Sequence, residues 1–260
     1  MSYYLLQLQN QKTMNIKQYL DSTYLKTAMQ AGLSEQENIL IAKGFIQEAI
    51  EEHYKLIMIR PEMVTLAKEL VLESKSNVLI GTVIDFPEGR SSVQSKLDEA
   101  AQAIQNGADD LDFVCNYEAF KKGETALVKD EILKCTQLGL ENNKVVKWII
   151  EVAALSGKEI MQLSSLIKNV VVSNFNQELY ASVFVKSSTG FFKTENNEPN
   201  GATIPAIKMM LENASPLPVK AAGGVRTYEE AVEMIELGVQ RIGTSGAKNI
   251  ANRQNSNNEY

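Results

Sequence analysis

The residues of this chain that could do chemistry are charged side chains set inside apolar, strand-like runs. Lys186 lies in Phe184-Val185-Lys186, Lys220 in Val219-Lys220-Ala221-Ala222, and Asp112 in Asp110-Leu111-Asp112-Phe113. A buried charge must be paired or must shift its pKa. One aspartate and two lysines on three strands leave an excess positive charge in one pocket, which suits a lysine whose pKa has to fall. An amine attacks a carbonyl only when unprotonated, and an ordinary lysine is protonated near neutral pH. Desolvation and a neighbouring ammonium both disfavour the charged form, each pKa unit being worth about 1.36 kcal/mol. A Schiff-base lysine beside a second lysine is a sensible use of such a pair.

Other strand charges carry two readings. In 145–152 the alternation puts Lys147 and Glu151 on the inward face with Val145 and Ile149, while Trp148 and Ile150 face the covering helices. Lys147 and Glu151 read either as an ion-pair network filling the interior or as part of a site. Asp110 reads more simply as a strand-end residue or part of a polar layer. Two glycine-containing segments follow the lysine strands, Ser187-Ser188-Thr189-Gly190 and Gly223-Gly224-Val225-Arg226, and a third, Gly243-Thr244-Ser245-Gly246, ends the last strand. Backbone amides freed by glycine can approach a phosphate, and the loops after the last strands of an α/β barrel often bind one.

Composition narrows the partners. The chain has 260 residues with 26 basic and 32 acidic side chains, a net charge of −6 that argues against nucleic acid or an anionic membrane. Two cysteines, Cys115 and Cys135, are too few for a disulfide framework and fit a reducing compartment. The single histidine, His53, cannot support a histidine-rich metal site, and between Glu52 and Tyr54 it reads as the exposed end of a helix. The chemistry therefore falls to Lys, Asp, Glu, Ser or Thr. No run approaches the ~20 apolar residues of a membrane span, and the first twelve residues lack a signal-peptide pattern. A cytoplasmic protein is expected.

Elements that could position these side chains alternate along nearly the whole length. Strand-like runs fall near 19–21, 55–59, 77–85, 110–116, 145–152, 182–188, 219–222 and 240–244. Helix-like patterns fall near 35–53, 62–73, 92–106, 124–138, 158–173, 202–212 and 227–236, with a last short one from Ser245. Ser34 with Glu37, and Thr227 with Glu230, have capping-box spacing, and Gly107 and Gly238 suit helix C-termini. Eight strand–helix units in this length predict a single-domain (β/α)8 barrel, with a doubly wound open sheet as the runner-up. The expected divisions are an N-terminal extension over 1–18, the barrel over 19–248, and a polar tail over 249–260. The polar segment 193–200 is long for a strand-to-helix connection and reads as a lid or a tolerated insertion.

These residues resemble those of deoxyribose-phosphate aldolase, a class I (Schiff-base) aldolase family with a TIM-barrel fold. The resemblance runs from about residue 19 to 247. It rests on Leu20-Asp21-Ser22-Thr23, Gly81-Thr82-Val83-Ile84-Asp85-Phe86-Pro87-Glu88-Gly89 and Gly107-Ala108-Asp109-Asp110-Leu111-Asp112. Its most specific part is the ordered pair Val185-Lys186-Ser187-Ser188-Thr189-Gly190 and Val219-Lys220-Ala221-Ala222-Gly223-Gly224-Val225-Arg226-Thr227.

The resemblance implies reversible cleavage of 2-deoxy-D-ribose 5-phosphate to acetaldehyde and D-glyceraldehyde 3-phosphate. Lys186 would form the Schiff base, with Asp112 and Lys220 handling protons. Asp21, Thr23, Lys147, Glu151 and Thr189 would bind substrate, Lys147 and Glu151 as a charged pair near the reactive lysine. Gly190, Gly223, Gly224 and Ser245 would hold the phosphate, and Tyr260 matches a terminal tyrosine that relays a proton in some members. Partners would be the sugar phosphate and acetaldehyde, with exposed barrel helices able to support a homodimer. The chain departs from the family at Gly246, where a second serine is common and whose contact would pass to Thr244 or Lys248. Met58 replaces a common cysteine, Ser187 a common threonine, and 193–200 looks longer than usual. The competing readings are a Schiff-base aldolase for another phosphorylated sugar and a non-enzymatic sugar-phosphate-binding barrel.

Overall fold

The computed structural model describes residues 14–195 and 198–253. Eight parallel strands close into one barrel in chain order: β1 (Leu20–Tyr24), β2 (Leu56–Ile59), β3 (Leu79–Ile84), β4 (Asp110–Val114), β5 (Val145–Ile149), β6 (Val183–Lys186), β7 (Val219–Ala222) and β8 (Arg241–Thr244). The open sheet is thereby excluded, because β1 pairs with both β2 and β8. Valine and isoleucine dominate the buried strand positions, as expected where helices cover one face and the barrel interior the other.

The helices start and stop where local chemistry dictates. Both expected capping boxes form, Ser34 with Glu37 and Thr227 with Glu230, and Thr27–Gln30 and Ser156–Glu159 make two more. Gly107 and Gly238 end their helices with φ of 106° and 114°, where a side chain would be strained. His53 ends the helix Glu35–Glu52 and is exposed, as its flanks suggest. Two helices escaped the periodicity, Ala28–Ala31 and Tyr117–Lys121. Each makes little more than one turn, too short to display a period. The closing helix spans Ala247–Ala251 and buries Ile250, so packed chain continues beyond 248; likewise Ile16 is buried in the core ahead of β1.

The outer layer is apolar and closely packed. Trp148 of β5 stacks on Phe113 of β4 at 5.2 Å and donates its Nε1–H to Thr136 on the helix Thr125–Glu141 at 3.0 Å. The interior divides by chemistry. Strand register places Asp21, Leu56, Met58, Gly81, Val83, Asp110, Asp112, Lys147, Lys186, Lys220 and Arg241 on the inward face. Leu56, Met58 and Val83 join Leu25 in a small apolar cluster on the β2–β3 side. The rest of the ring carries charge.

Candidate active site

The charged half of the barrel is a single network. Asp112 Oδ2 lies 2.9 Å from both Lys186 Nζ and Lys220 Nζ, while its Oδ1 lies 2.8 Å from Lys147 Nζ. Lys220 Nζ also meets Asp21 Oδ2 at 2.6 Å, and Lys147 Nζ meets Asp110 Oδ2 at 2.7 Å. Arg241 Nε donates to Asp21 Oδ1 at 2.7 Å, and its guanidinium stands 3.5 Å from Asp110 Oδ2. Three carboxylates thus face four cations, all buried, leaving one positive charge in excess.

That excess falls on Lys186. Burial, helped by Lys220 and Lys147 and opposed by Asp112, pushes its amine from 10.5 down to about 8. Burial would raise the other members' acidic pKa values, but the cations win. Asp112 is held well below the usual carboxylate range by Lys147, Lys186 and Lys220. Asp21 comes down to about 2 under Arg241, Lys220 and Lys147. For Lys147, burial pulls the pKa down, and Asp110, Asp112 and Asp21 more than offset it, so that ammonium is reinforced. The network therefore reinforces the Lys147 ammonium and holds Asp21 and Asp112 ionised, while Lys186 is pushed toward the free amine. Among the described residues no group of three or more His, Cys, Asp or Glu side chains could hold a metal ion.

Lys186 opens into a cleft at the C-terminal mouth of the barrel. Thr23, Thr189, Gly190, Gly223, Gly224 and Ser245 line that cleft with it. Gly223 and Gly224 take φ of 82° and 90°, a path only glycine follows without strain. A Cβ on Gly201 would collide with the Gly223 carbonyl oxygen, so the end of the 190–201 segment seats directly on this turn. Phe191 packs edge-on against Phe86 at 5.1 Å, and Asn200 Nδ2 donates to the Gly190 carbonyl at 3.2 Å.

Several expected residues sit elsewhere. Asp21 and Lys147 are wholly buried beneath the cleft, turned to Arg241, Lys220, Asp110 and Asp112, and do not line it. Glu151 lies past the end of β5 at φ 56°, behind the wall, bonded to Ser188 and Thr189. Lys147 and Glu151 are therefore not a charged pair; each has its own partners. Of the two stand-ins for the serine absent at Gly246, Thr244 lines the cleft and Lys248 does not. The Thr244 hydroxyl donates to the Val225 carbonyl and Lys248 turns outward to Glu48. Tyr260 lies outside the described residues.

Reading the sequence missed Arg241, and it missed Asn200, Arg226 and Asn249 in the lining. Arg226 had a signal, a cation two residues after the glycine pair. Arg241 had one too, a guanidinium within a four-residue strand.

Known proteins resemble this chain over nearly its whole length. Residues 18–250 match the model of the DeoC/LacD family aldolases. A deoxyribose-phosphate aldolase of Thermococcus gammatolerans is 36% identical over 238 residues, covering 91% of this chain and 95% of that one. One from Streptococcus pneumoniae strain Taiwan19F-14 is 35% identical over 248 residues, covering 95% and 100%. Among solved structures, an aldolase called QR15 superposes with a TM-score of 0.76 at 30% identity, over 92% of this chain and 96% of that one. With a closed barrel, a buried lysine pair and matches that run almost end to end, the chain belongs to the DeoC/LacD family of aldolases.

Proposed function

We propose that the protein catalyses reversible aldol cleavage of 2-deoxy-D-ribose 5-phosphate through a Schiff base on Lys186. The observation that carries this reading is one nearly buried amine at the cleft floor, held to about 8, 2.9 Å from a carboxylate oxygen shared with a second lysine. In the cleavage direction, Lys186 Nζ adds to the C1 aldehyde and water leaves to give an iminium. Loss of the C3 hydroxyl proton lets the C2–C3 bond break. Its electron pair moves into the iminium, forming an enamine as D-glyceraldehyde 3-phosphate departs. Protonation at C2 and hydrolysis then release acetaldehyde and the free amine. Because the iminium accepts the electrons, the reading asks for no cofactor.

Asp112 and Lys220 serve these proton transfers, since Asp112 Oδ2 accepts from the Lys186 amine and Lys220 donates to that same oxygen. Thr23 and Thr189 face the sugar, and Asp21 and Lys147 hold Lys220 and Asp112 from below. The amides around Gly190, Gly223, Gly224 and Ser245, with Arg226 nearby, take the phosphate. Tyr260 serves as a proton relay in this reading, tested by Tyr260→Phe, in which turnover falls and Lys186 adduct formation does not. A cytoplasmic site of action fits two unpaired, buried cysteines. A homodimer fits exposed apolar side chains such as Met29, Leu40 and Leu72; a monomer in sedimentation equilibrium would remove it.

Borohydride trapping with acetaldehyde, followed by peptide mass mapping, tests the core of the reading. A two-carbon adduct on Lys186, absent from Lys186→Ala, is expected together with cleavage of deoxyribose 5-phosphate. No adduct, or one on Lys220, would overturn the assignment. Profiling other sugar phosphates separates deoxyribose 5-phosphate from the alternatives.

A further inference from the structure

The two oxygens of Glu151 have unlike surroundings, and counting protons around them distinguishes one from the other. Glu151 Oε2 receives the Thr189 N–H at 3.2 Å and the Thr189 hydroxyl, which itself accepts the Phe191 N–H at 3.0 Å. Glu151 Oε1 lies 2.8 Å from Ser188 Oγ. That same Oγ accepts the Gly190 N–H at 2.9 Å and stands 2.5 Å from the Asn200 carbonyl oxygen. A backbone carbonyl can only accept, and a serine hydroxyl has one proton. The Ser188 proton must therefore go to Asn200, and the contact between Oε1 and Oγ needs a proton from Glu151. An ionised Glu151 would leave one proton for two short oxygen contacts, and one of those contacts would be repulsive.

We infer that Glu151 is a neutral carboxylic acid that acts as a positioning residue, donating to Ser188 and so pinning Asn200 at the edge of the cleft. The inference deepens the aldolase reading and rests on it only for the site being served. The environment agrees: burial raises the pKa of Glu151 above the usual carboxylate value, against the pull of its hydrogen bonds and of Lys186. The titratable groups facing it among the described residues are Lys186 on β6 and Tyr117 on the helix Tyr117–Lys121. Neither hydrogen-bonds to it, so its proton stays within the chain Glu151–Ser188–Asn200.

That chain joins three pieces of backbone: the end of β5, the turn after β6 and the end of the 190–200 segment. Asn200 lines the cleft, and Gly201 beside it rests on Gly223. Ionisation of Glu151 takes away the proton that satisfies Oε1. Ser188 must then choose between Glu151 and Asn200, and the cleft wall loosens. The wall is built at neutral pH and released at alkaline pH. In Glu151→Gln the amide donates to Ser188 while its oxygen still accepts from Thr189, so the wall stays built at every pH.

An infrared difference spectrum between the wild type and Glu151→Gln, at neutral pH and without substrate, reads the proton directly. A protonated-carboxyl C=O band that shifts in deuterium oxide is expected; carboxylate bands alone would overturn the inference. The companion readout is kinetic. Glu151→Ala raises KM by about tenfold, Glu151→Gln restores most of that, and the alkaline rise in KM of the wild type disappears in Glu151→Gln. An alkaline rise that persists unchanged in Glu151→Gln would also overturn it. Should Glu151→Gln fail to fold, Ser188→Ala serves instead. It removes the acid's acceptor, so the carboxyl band must move to higher frequency; an unmoved band refutes the network. The infrared measurement uses no sugar phosphate, so a negative band and a negative turnover assay fail separately.

Discussion

Asp112→Asn tests the electrostatic argument most sharply, because the variant keeps the shape and removes the charge at the centre of the network. With its pKa at about 8, about one Lys186 in ten is unprotonated at pH 7, against about one in 3,000 for an ordinary lysine at 10.5. The barrel therefore enriches the reactive amine about 300-fold. Asp112 works against that enrichment, since its negative charge favours the ammonium. Removing it lowers the Lys186 pKa further, and one additional unit would raise the free fraction from about a tenth to about a half. The rate of borohydride-trapped adduct formation with acetaldehyde should thus rise about fivefold at pH 7 and its midpoint should move to lower pH. Cleavage of deoxyribose 5-phosphate should fall by about 10²–10⁴-fold, because the carboxylate that passes protons is gone. Breaking a buried ion network typically costs ~3–5 kcal/mol; Lys147 and Lys220 retain Asp110 and Asp21, which favours the lower end. That is a Tm lower by roughly 6–12 °C for a chain of this size. Stopped-flow trapping across the neutral range and a thermal melt together decide the matter. A midpoint that stays or moves upward would refute the claim that charge balance sets the lysine's pKa.

Three further outcomes follow from the same structure. Lys186→Met should be more stable than the wild type by about 1–3 kcal/mol in urea unfolding at neutral pH, because a shift from 10.5 to about 8 records an ammonium disfavoured in the fold. The unfolded chain binds more protons than the folded one between those values, so wild-type stability rises with pH through that window while the variant's rise is missing. Asp21, at about 2 against 3.8, contributes about 2 kcal/mol that is complete above pH 4 and is lost as pH falls towards 2. The acid limb of the unfolding curve should accordingly be shallower in Asp21→Asn. Gly201→Ala would drive a methyl into the Gly223 and Ala222 backbone, so KM for a phosphorylated substrate should rise at least about tenfold and stability should fall by about 1–3 kcal/mol; equal binding would show that the 190–201 segment does not shape the phosphate end.

Much of this arrangement is legible in the order of the residues. Strand alternation alone directs Asp112, Lys147 and Lys186 inward, and the register confirms it. Where the alternation stops, so does its reach. Glu151 shares the parity of Lys147 but lies beyond the last β5 residue at positive φ, and the turn carries it behind the cleft wall. Arg241 escapes notice because the short run 240–244, ending in Gly243-Thr244, shows no clear period, and its importance lies in partners from β1 and β4. Pairing across the barrel is long-range information: Asp21 and Arg241 are 220 positions apart. For the same reason the sequence places Asp110 at a strand end or in a polar layer, and it is both, but does not show that its partner is Lys147.

The level pairing of Lys186 with Lys220 across β6 and β7, and of Asp112 with Lys147 across β4 and β5, bears on how such a protein can diversify. On the proposed mechanism the reacting groups hang from staves whose heights are locked by the ladder, whereas the residues proposed to meet the phosphate hang from the rim. Lineages can therefore rewrite the rim, lengthening 190–201 or exchanging a serine for Gly246, without retuning the amine. The reverse does not hold. One substitution in the staves disturbs every charge at once, so new substrates are expected to come from loop changes long before new chemistry comes from strand changes.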